Sequence, residues 1–265
     1  MLNTLAFLVA LQLAPAQAGH LTITNVRPLY SPLGPERTSD KLIPGEIYFV
    51  GFTTDGMKVA EDGRVEYSIG LDLSDSTGKV LTSQTPRELQ TLQSLGGAEV
   101  QMYATIVIGA NQPPGDYAMK VTVKDIKGKT STDFTRKFQI LKPRFGIIRL
   151  RPTLDPTGLI PAPTVGVPGQ NVWVGFWIVG FQRGPDKQPN VTAELQVFDE
   201  DGKPTIARPG VLKSQPLEGN QDVIQMSLPL ALNRAGKFKV RIHAMDQVTR
   251  KKFDINYPIT VVPNK

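Results

Sequence analysis

Apolar and polar residues alternate along several segments of this chain. Ile69, Leu71 and Leu73 are separated by Gly70 and Asp72. A period of two places one set of side chains on a buried face and the other towards solvent, as in a β-strand. Two longer stripes follow the same rule: Val100, Met102, Ala104, Ile106 and Ile108, and then Tyr117, Met119, Val121 and Val123. The pattern predicts strands almost throughout, with one or two helical turns conceivable over residues 87–95.

Each stripe returns in the second half of the chain. The counterparts are Ala193, Leu195 and Val197; Ile224, Met226, Leu228, Leu230 and Leu232; and Phe238, Val240, Ile242 and Ala244. Pro44-Gly45 and Pro168-Gly169 open matching runs, and 168 − 44 gives a spacing of 124 residues. A buried face is what holds the register of a strand, so the matching stripes indicate two copies of one domain.

Turn signals separate the predicted strands. The four-residue segments 76–79 and 200–203 contain Gly before Lys and fit hairpin turns, and residues 126–129 and 247–250 precede the last strand of each copy. Short strands with many Gly and Pro residues between them favour a sandwich. We therefore predict an all-β protein: two tandem, seven-stranded antiparallel β-sandwiches over residues 19–142 and 143–265. The stretches 82–99 and 206–222 differ most between the copies, so we expect divergent binding loops there.

One strand carries a resemblance to a known family. The run from Gly115 to Asp125 resembles the start of the F strand in bacterial immunoglobulin-like and fibronectin-type-III-like domains, which read Gly-x-Tyr-x-x-x-Val-x-Val-x-Asp. Phe238 replaces the tyrosine in the second copy, so a tyrosine corner is expected only in the first, at Tyr117. The resemblance covers nearly all of residues 20–265 in pattern. It implies a fold and no particular function, because this fold supports unrelated activities.

Residues 1–18 fit a secretory signal peptide. They contain no charged side chain, residues 5–13 are apolar apart from Gln12, and Ala16-Gln17-Ala18 is a small-x-small cleavage signal. A membrane anchor fits less well, because Pro15 and Gln17 interrupt the apolar stretch before it reaches about 20 residues. We expect a secreted, periplasmic or cell-envelope protein. The absence of cysteine excludes disulfides, thiolate metal sites and thiol catalysis.

The chain has a modest excess of basic residues. Thirty Lys and Arg against 24 Asp and Glu give a net charge of +6. This favours an anionic partner at the cell envelope, a protein or a polysaccharide, and is too weak to indicate nucleic acid. The candidate binding residues follow the polar face of the F strands and the turn into the last strand: Lys120, Lys124, Lys237, Lys239, Arg241, Lys251 and Lys252. The alternative is a solvated face on which lysines discourage pairing between sheets.

Trp177 offers a second interpretation, a carbohydrate-binding module for acidic or neutral glycans. It aligns with Thr53 of the first copy, so no core position requires an aromatic there. An exposed indole near a strand end could stack on a sugar ring. Trp173 aligns with Phe49 instead, and we expect it to fill the core.

The two histidines suggest a third, weaker interpretation. If the leader ended at Gly19, His20 would be the mature N-terminus, and some copper oxidases with similar sandwich folds bind copper through such a residue. The other histidine, His243, is expected beside Lys239 and Arg241 in the other domain, which disfavours a shared metal. We see no Ser–His–acid set, no calcium-loop spacing and no phosphate loop. The prediction is a non-enzymatic binding or spacer protein without metal or cofactor.

Overall fold

The structure, a computed structural model, describes residues 20–219 and 221–264, so the signal peptide predicted over residues 1–18 lies outside the described residues. The first eight strands are β1 (Thr22–Leu29), β2 (Lys41–Leu42), β3 (Ile47–Asp55), β4 (Arg64–Asp75), β5 (Val80–Leu92), β6 (Val100–Val107), β7 (Gly115–Asp125) and β8 (Thr130–Ile140). The next eight are β9 (Gly146–Thr153), β10 (Val165–Gly166), β11 (Asn171–Val179), β12 (Val191–Phe198), β13 (Gly210–Lys213), β14 (Val223–Ala231), β15 (Gly236–Asp246) and β16 (Lys252–Val261). Within the described residues, no helix is long and apolar enough to cross a bilayer.

The strands form four sheets that repeat one connectivity twice. The first half makes a three-stranded sheet in the order β1-β3-β6 and a five-stranded sheet in the order β2-β8-β7-β4-β5. The second half makes β14-β11-β9 and β10-β16-β15-β12-β13, in which each strand takes the place of its counterpart eight positions earlier. The predicted fold class, an all-β protein built from duplicated sandwiches, is confirmed.

The predicted stripes form the cores. Met119, Val121 and Val123 have no exposed surface, and neither have Val240 and Ile242 at the equivalent positions. Two separate clusters of buried side chains result, one in each half of the chain. At the edge of the second core the alternation of buried and exposed residues is less strict, because Leu230 and Phe238 are only partly buried.

Backbone irregularities recur with the repeat. Asn25 and Arg149, which are 149 − 25 = 124 residues apart, both have a φ of +53°. Each lies where a β-bulge shifts the register of the first strand, between β1 and β3 or between β9 and β11. Positive φ is uncommon outside glycine, so its return at equivalent positions is strong evidence for the duplication. The predicted hairpin at 76–79 is also confirmed, with Gly78 at a φ of +86° between β4 and β5.

Three expectations were wrong in detail. Most of residues 87–95 lie in β5, because pairing with β4 overrides the local helical preference of Arg87, Glu88 and Leu89. Each sandwich has eight strands and not seven, and the pairing is not purely antiparallel, since the two-residue strands β2 and β10 pair in parallel with β8 and β16. Trp173 is not a core residue: it lies on the outer face of β11, between buried Val172 and Val174.

The two halves are packed closely against each other. Tyr30 of the first half packs against the buried cluster of the second. The Arg37 guanidinium lies 4.5 Å from the Tyr30 ring centroid and forms a buried ion pair with Glu46 at 2.5 Å. Gly146 lies against Ile43, whose side chain leaves no room for a Cβ at that position. These contacts restrict the angle between the halves.

Candidate functional site

A cationic surface covers the outer side of the second five-stranded sheet. Lys237, Lys239 and Arg241 alternate along β15 with buried core residues, so their side chains share that outer side. The register adds Lys252 opposite Met245, and Lys213 opposite Thr192. We call Lys213, Lys237, Lys239, Arg241 and Lys252 the basic face.

Few acids balance the basic face. The register places Glu194 and Asp254 on the same side of the sheet, both opposite His243. Asp254 is engaged with that histidine, since its Oδ1 lies 2.9 Å from His243 Nδ1. Glu200 is a third acid at the end of the row, where its Oε1 accepts a hydrogen bond from the Lys237 N–H at 3.3 Å. Five cations against three carboxylates leave a local positive excess that attracts anions.

Phe198 gives the basic face an aromatic centre. Its ring centroid lies 5.3 Å from Lys239 Nζ and 5.1 Å from Arg241 Cζ. Cations at these distances are attracted to the ring, which holds the two long side chains near the sheet. Arg241 Nε is buried and finds no hydrogen-bond acceptor among the described residues.

The equivalent face of the first half has a different charge balance. Lys120 and Lys124 are exposed on β7, as predicted from the alternation. Lys120 forms an ion pair with Asp133 at 3.4 Å, and the register places Asp72 beside it on β4. The predicted basic residues therefore lie on two separate sheets, and only the set in the second half forms a cationic cluster.

A buried carboxylate fixes the turn before Lys252. Asp246 is fully buried, and its Oδ2 accepts hydrogen bonds from Thr249 Oγ1 at 2.6 Å and from the Gln182 backbone N–H at 3.0 Å. Burial alone would raise the pKa of Asp246, but these bonds and one from the Val248 N–H outweigh it, and the pKa is lowered. The anchored turn sets the position of exposed Lys251 and Lys252 at its end.

A second feature is a cleft of about 320 Å³ between the two halves. The first half contributes Tyr30, Ser31 and Phe49 to its walls, and the second contributes Arg149, Arg151 and Trp177. We call it the inter-repeat cleft. Sequence reasoning missed it, because only the packing of the two halves brings these positions together.

Trp177 lies in this cleft, partly buried. The Arg149 guanidinium covers the indole, with Cζ 3.9 Å from the ring centroid. Arg149 Nε also donates a hydrogen bond to the Gly45 carbonyl at 2.9 Å, which links the two halves. One face of the predicted stacking residue is therefore occupied by an arginine.

The histidines lie apart in the fold. His20 is exposed, and its Nδ1 lies 3.2 Å from the carbonyl oxygen of adjacent Leu21. His243 has an acid partner that the sequence analysis did not identify, because Asp254 faces it across the β15–β16 hairpin. Counting pairs outward from the predicted turn at 247–250 could have revealed this partner. In the part of the chain that the structure describes, no three His, Cys, Asp or Glu residues cluster as metal ligands would.

Comparisons with known proteins give no family. No protein-family profile matches the chain. No curated protein matches it either. Among solved structures, Pseudomonas fluorescens alkylpurine DNA glycosylase AlkC bound to DNA containing an abasic site analog matches at 14% identity over 46% of this chain, with a TM-score of 0.32. Red sea bream transglutaminase matches at 8% identity over 95% of this chain, with a TM-score of 0.28. The chain spans about a third of the length of each, 31% and 32%.

Proposed function

We propose that this is an exported, non-enzymatic binding protein that docks on an anionic polysaccharide of the cell envelope through the basic face. The observation that supports this most directly is the row of Lys237, Lys239 and Arg241 along one strand, beside Phe198 and with few acids nearby. No cofactor enters this proposal.

The spacing of the row suits a polymer. Alternate residues of a strand are roughly 7 Å apart, so the three cations form a regular line about 14 Å long. A chain with repeated negative groups can contact such a line at several points at once. A small anion would gain from only one of them, so an extended anionic chain is the better fit.

We further propose that both halves are immunoglobulin-like or fibronectin-type-III-like domains, with the boundary near residue 142. The Tyr117 hydroxyl donates to the Pro113 carbonyl at 2.8 Å, which is the hydrogen bond of a tyrosine corner and supports the proposal. In the second half Arg234 lies 5.0 Å from the Phe238 ring centroid, so a cation–π contact takes the place of that bond.

Binding to polygalacturonate, with neutral dextran as the control polymer, tests the proposed function. We expect the protein to bind polygalacturonate and not dextran, and to bind more weakly as salt is raised, because exposed charges are screened within about 10 Å at 0.1 M salt. The double variant Lys237→Gln/Lys239→Gln should lose about tenfold or more in affinity, which corresponds to about 1.4 kcal/mol.

The matched control lies on the equivalent strand of the first half. Lys120→Gln/Lys124→Gln removes the same number of charges from β7, where Asp133 and Asp72 lie beside Lys120. Its affinity should stay within about twofold of the unaltered protein. Equal losses in the two double variants would show that net charge, and not the basic face, controls binding. No binding to polygalacturonate would contradict the proposed function.

A further inference from the structure

Two arginines in the inter-repeat cleft have no counter-charge. Arg149 and Arg151 both line it, and neither forms an ion pair with any residue in the described ranges. Burial, followed by the positive charge of Arg151, lowers the pKa of Arg149. An anion placed between the two guanidinium groups would relieve this repulsion, and the planar fork of arginine suits a carboxylate.

Arg149 is held in place, whereas Arg151 is exposed and lies beside a glycine. Arg149 is fixed by its stacking on Trp177 and by the bond from its Nε to the Gly45 carbonyl, while its Nη atoms donate to no described residue. Arg151 lies over Gly158, where a Cβ would come within 2.8 Å of Nη2. Gly158 has a φ of +76°, so the backbone there both favours glycine and leaves space for the guanidinium.

The opposite wall is mainly apolar. Ser31 lines the cleft, but its Oγ is fully buried and lies against Gly34, so close that a Cβ on that residue would clash with it, and a ligand in the cleft does not reach it. Phe49 supplies apolar surface on the same wall, and Gln225 and Ser227 add exposed polar groups across from it.

We infer that the inter-repeat cleft binds a single acidic sugar ring, with its carboxylate between Arg149 and Arg151. The ring hydroxyls then meet Gln225 and Ser227 of β14, and its apolar side lies against Phe49. A volume of about 320 Å³ is at the lower end of ligand pockets, which suits one ring and not an oligosaccharide. The site lies on the three-stranded side of the second sandwich, whereas the basic face covers its five-stranded side, so the inference does not depend on the proposed function.

Tryptophan fluorescence can report on this site. The chain has two tryptophans, so Trp173→Phe leaves Trp177, under Arg149, as the sole indole. Titration with glucuronate should change the emission with a dissociation constant of about 1 mM, a typical value for a small ligand with few contacts. Glucose, which lacks the carboxylate, should leave the emission unchanged over the same range.

Two further variants make the test specific. Arg151→Gln should weaken glucuronate binding about tenfold or more, while Lys239→Gln, on the basic face, should leave it unchanged. Calorimetry on the protein with both tryptophans repeats the titration in case Trp173→Phe perturbs the fold. An absent response to glucuronate in both assays, an equal response to glucose, or unchanged affinity in Arg151→Gln would overturn the inference. An equal response to benzoate would overturn the assignment to a sugar.

Discussion

At the scale of single residues, each half has a buried carboxylate at the equivalent position, the end of its F-like strand. Asp125 accepts hydrogen bonds from the Lys58 N–H at 2.7 Å and the Gly128 N–H at 2.8 Å. In the second half Asp246 accepts from the Gln182 N–H at 3.0 Å and the Val248 N–H at 2.9 Å. Each carboxylate joins the turn after the F-like strand to the segment that follows β3 or β11. The aspartate that ends the sequence motif therefore has a structural role in both halves.

Asp246→Asn tests this role through pH. The amide cannot accept all the bonds that the carboxylate accepts, so we expect a loss of about 1–3 kcal/mol at pH 7. The pKa of Asp246 is lowered in the folded protein, so its contribution is complete above the unfolded pKa of about 4 and is lost as pH falls through the folded pKa. Urea unfolding at pH 7 and pH 3 should show the difference shrinking at the lower pH. Asp254→Asn, at a partly exposed site, is the control.

Tyr117→Phe tests the corner hydrogen bond. Removing the hydroxyl leaves the Pro113 carbonyl without its partner, and we expect a loss of about 1 kcal/mol in the free energy of unfolding. Tyr103→Phe removes a hydroxyl from a side chain that is 48% exposed, and its effect should stay within about 0.5 kcal/mol. Equal effects of the two changes would mean that the corner bond contributes little.

At the scale of elements, the halves differ most at one edge. β5 has 13 residues and is paired along its length with β4, whereas β13 has four and pairs only with residues 192–195 of β12. The shorter strand leaves an apolar cavity of about 260 Å³ beside Leu195, Leu228 and Phe238. Divergence between the copies was predicted here, but as loops and not as strands of unequal length.

The long edge of β5 is exposed to pairing with other chains, and Pro86 interrupts it. The register shifts around Pro86, between the pairs Ile69–Arg87 and Leu71–Gln84. Proline and a bulge are common protections of an edge strand. We expect Pro86→Thr to remove this protection and to produce concentration-dependent dimers, measured by light scattering after size exclusion. Thr91→Val, in the same strand, is the control and should remain at the mass of the unaltered protein.

The sequence was sufficient to predict the strands and insufficient to predict the inter-repeat cleft. Alternation identified β6, β7, β14 and β15 with their buried faces, because a period of two is a local property. It also placed Lys237 and Lys239 on one face. The environment of Trp177 depends on Arg149 and on Gly45 of the other half, and no local pattern encodes such a contact.

At the scale of the whole molecule, a buried ion pair supports the junction between the halves. Arg37 and Glu46 are 6% and 3% exposed, and Arg37 holds Tyr30 against the second core. Their counterparts 124 residues later are Pro161 and Gln170, so the pair exists only in the first half. It belongs to the junction and not to the repeated domain.

Arg37→Ala should weaken the junction. It leaves the Glu46 carboxylate buried without a counter-charge, which costs about 3–5 kcal/mol, and removes the contact that covers Tyr30. We expect calorimetry to show one unfolding transition in the unaltered protein and two in the variant, with the first half unfolding at the lower temperature. Arg64→Ala breaks an ion pair whose side chains are 54% and 56% exposed and should leave a single transition. Two transitions already in the unaltered protein would contradict this coupling.

The position of Tyr30 also has a consequence for folding. Its ring belongs to the interior of a domain that begins more than a hundred residues further along the chain. If the first half folds before the second, the Tyr30 ring stays exposed to water until the later strands have formed. During that time the first half has an apolar, aggregation-prone site on its surface. The second half, produced alone, would have an unfilled site where Tyr30 packs. The two halves, mixed as separate fragments, should associate through this contact.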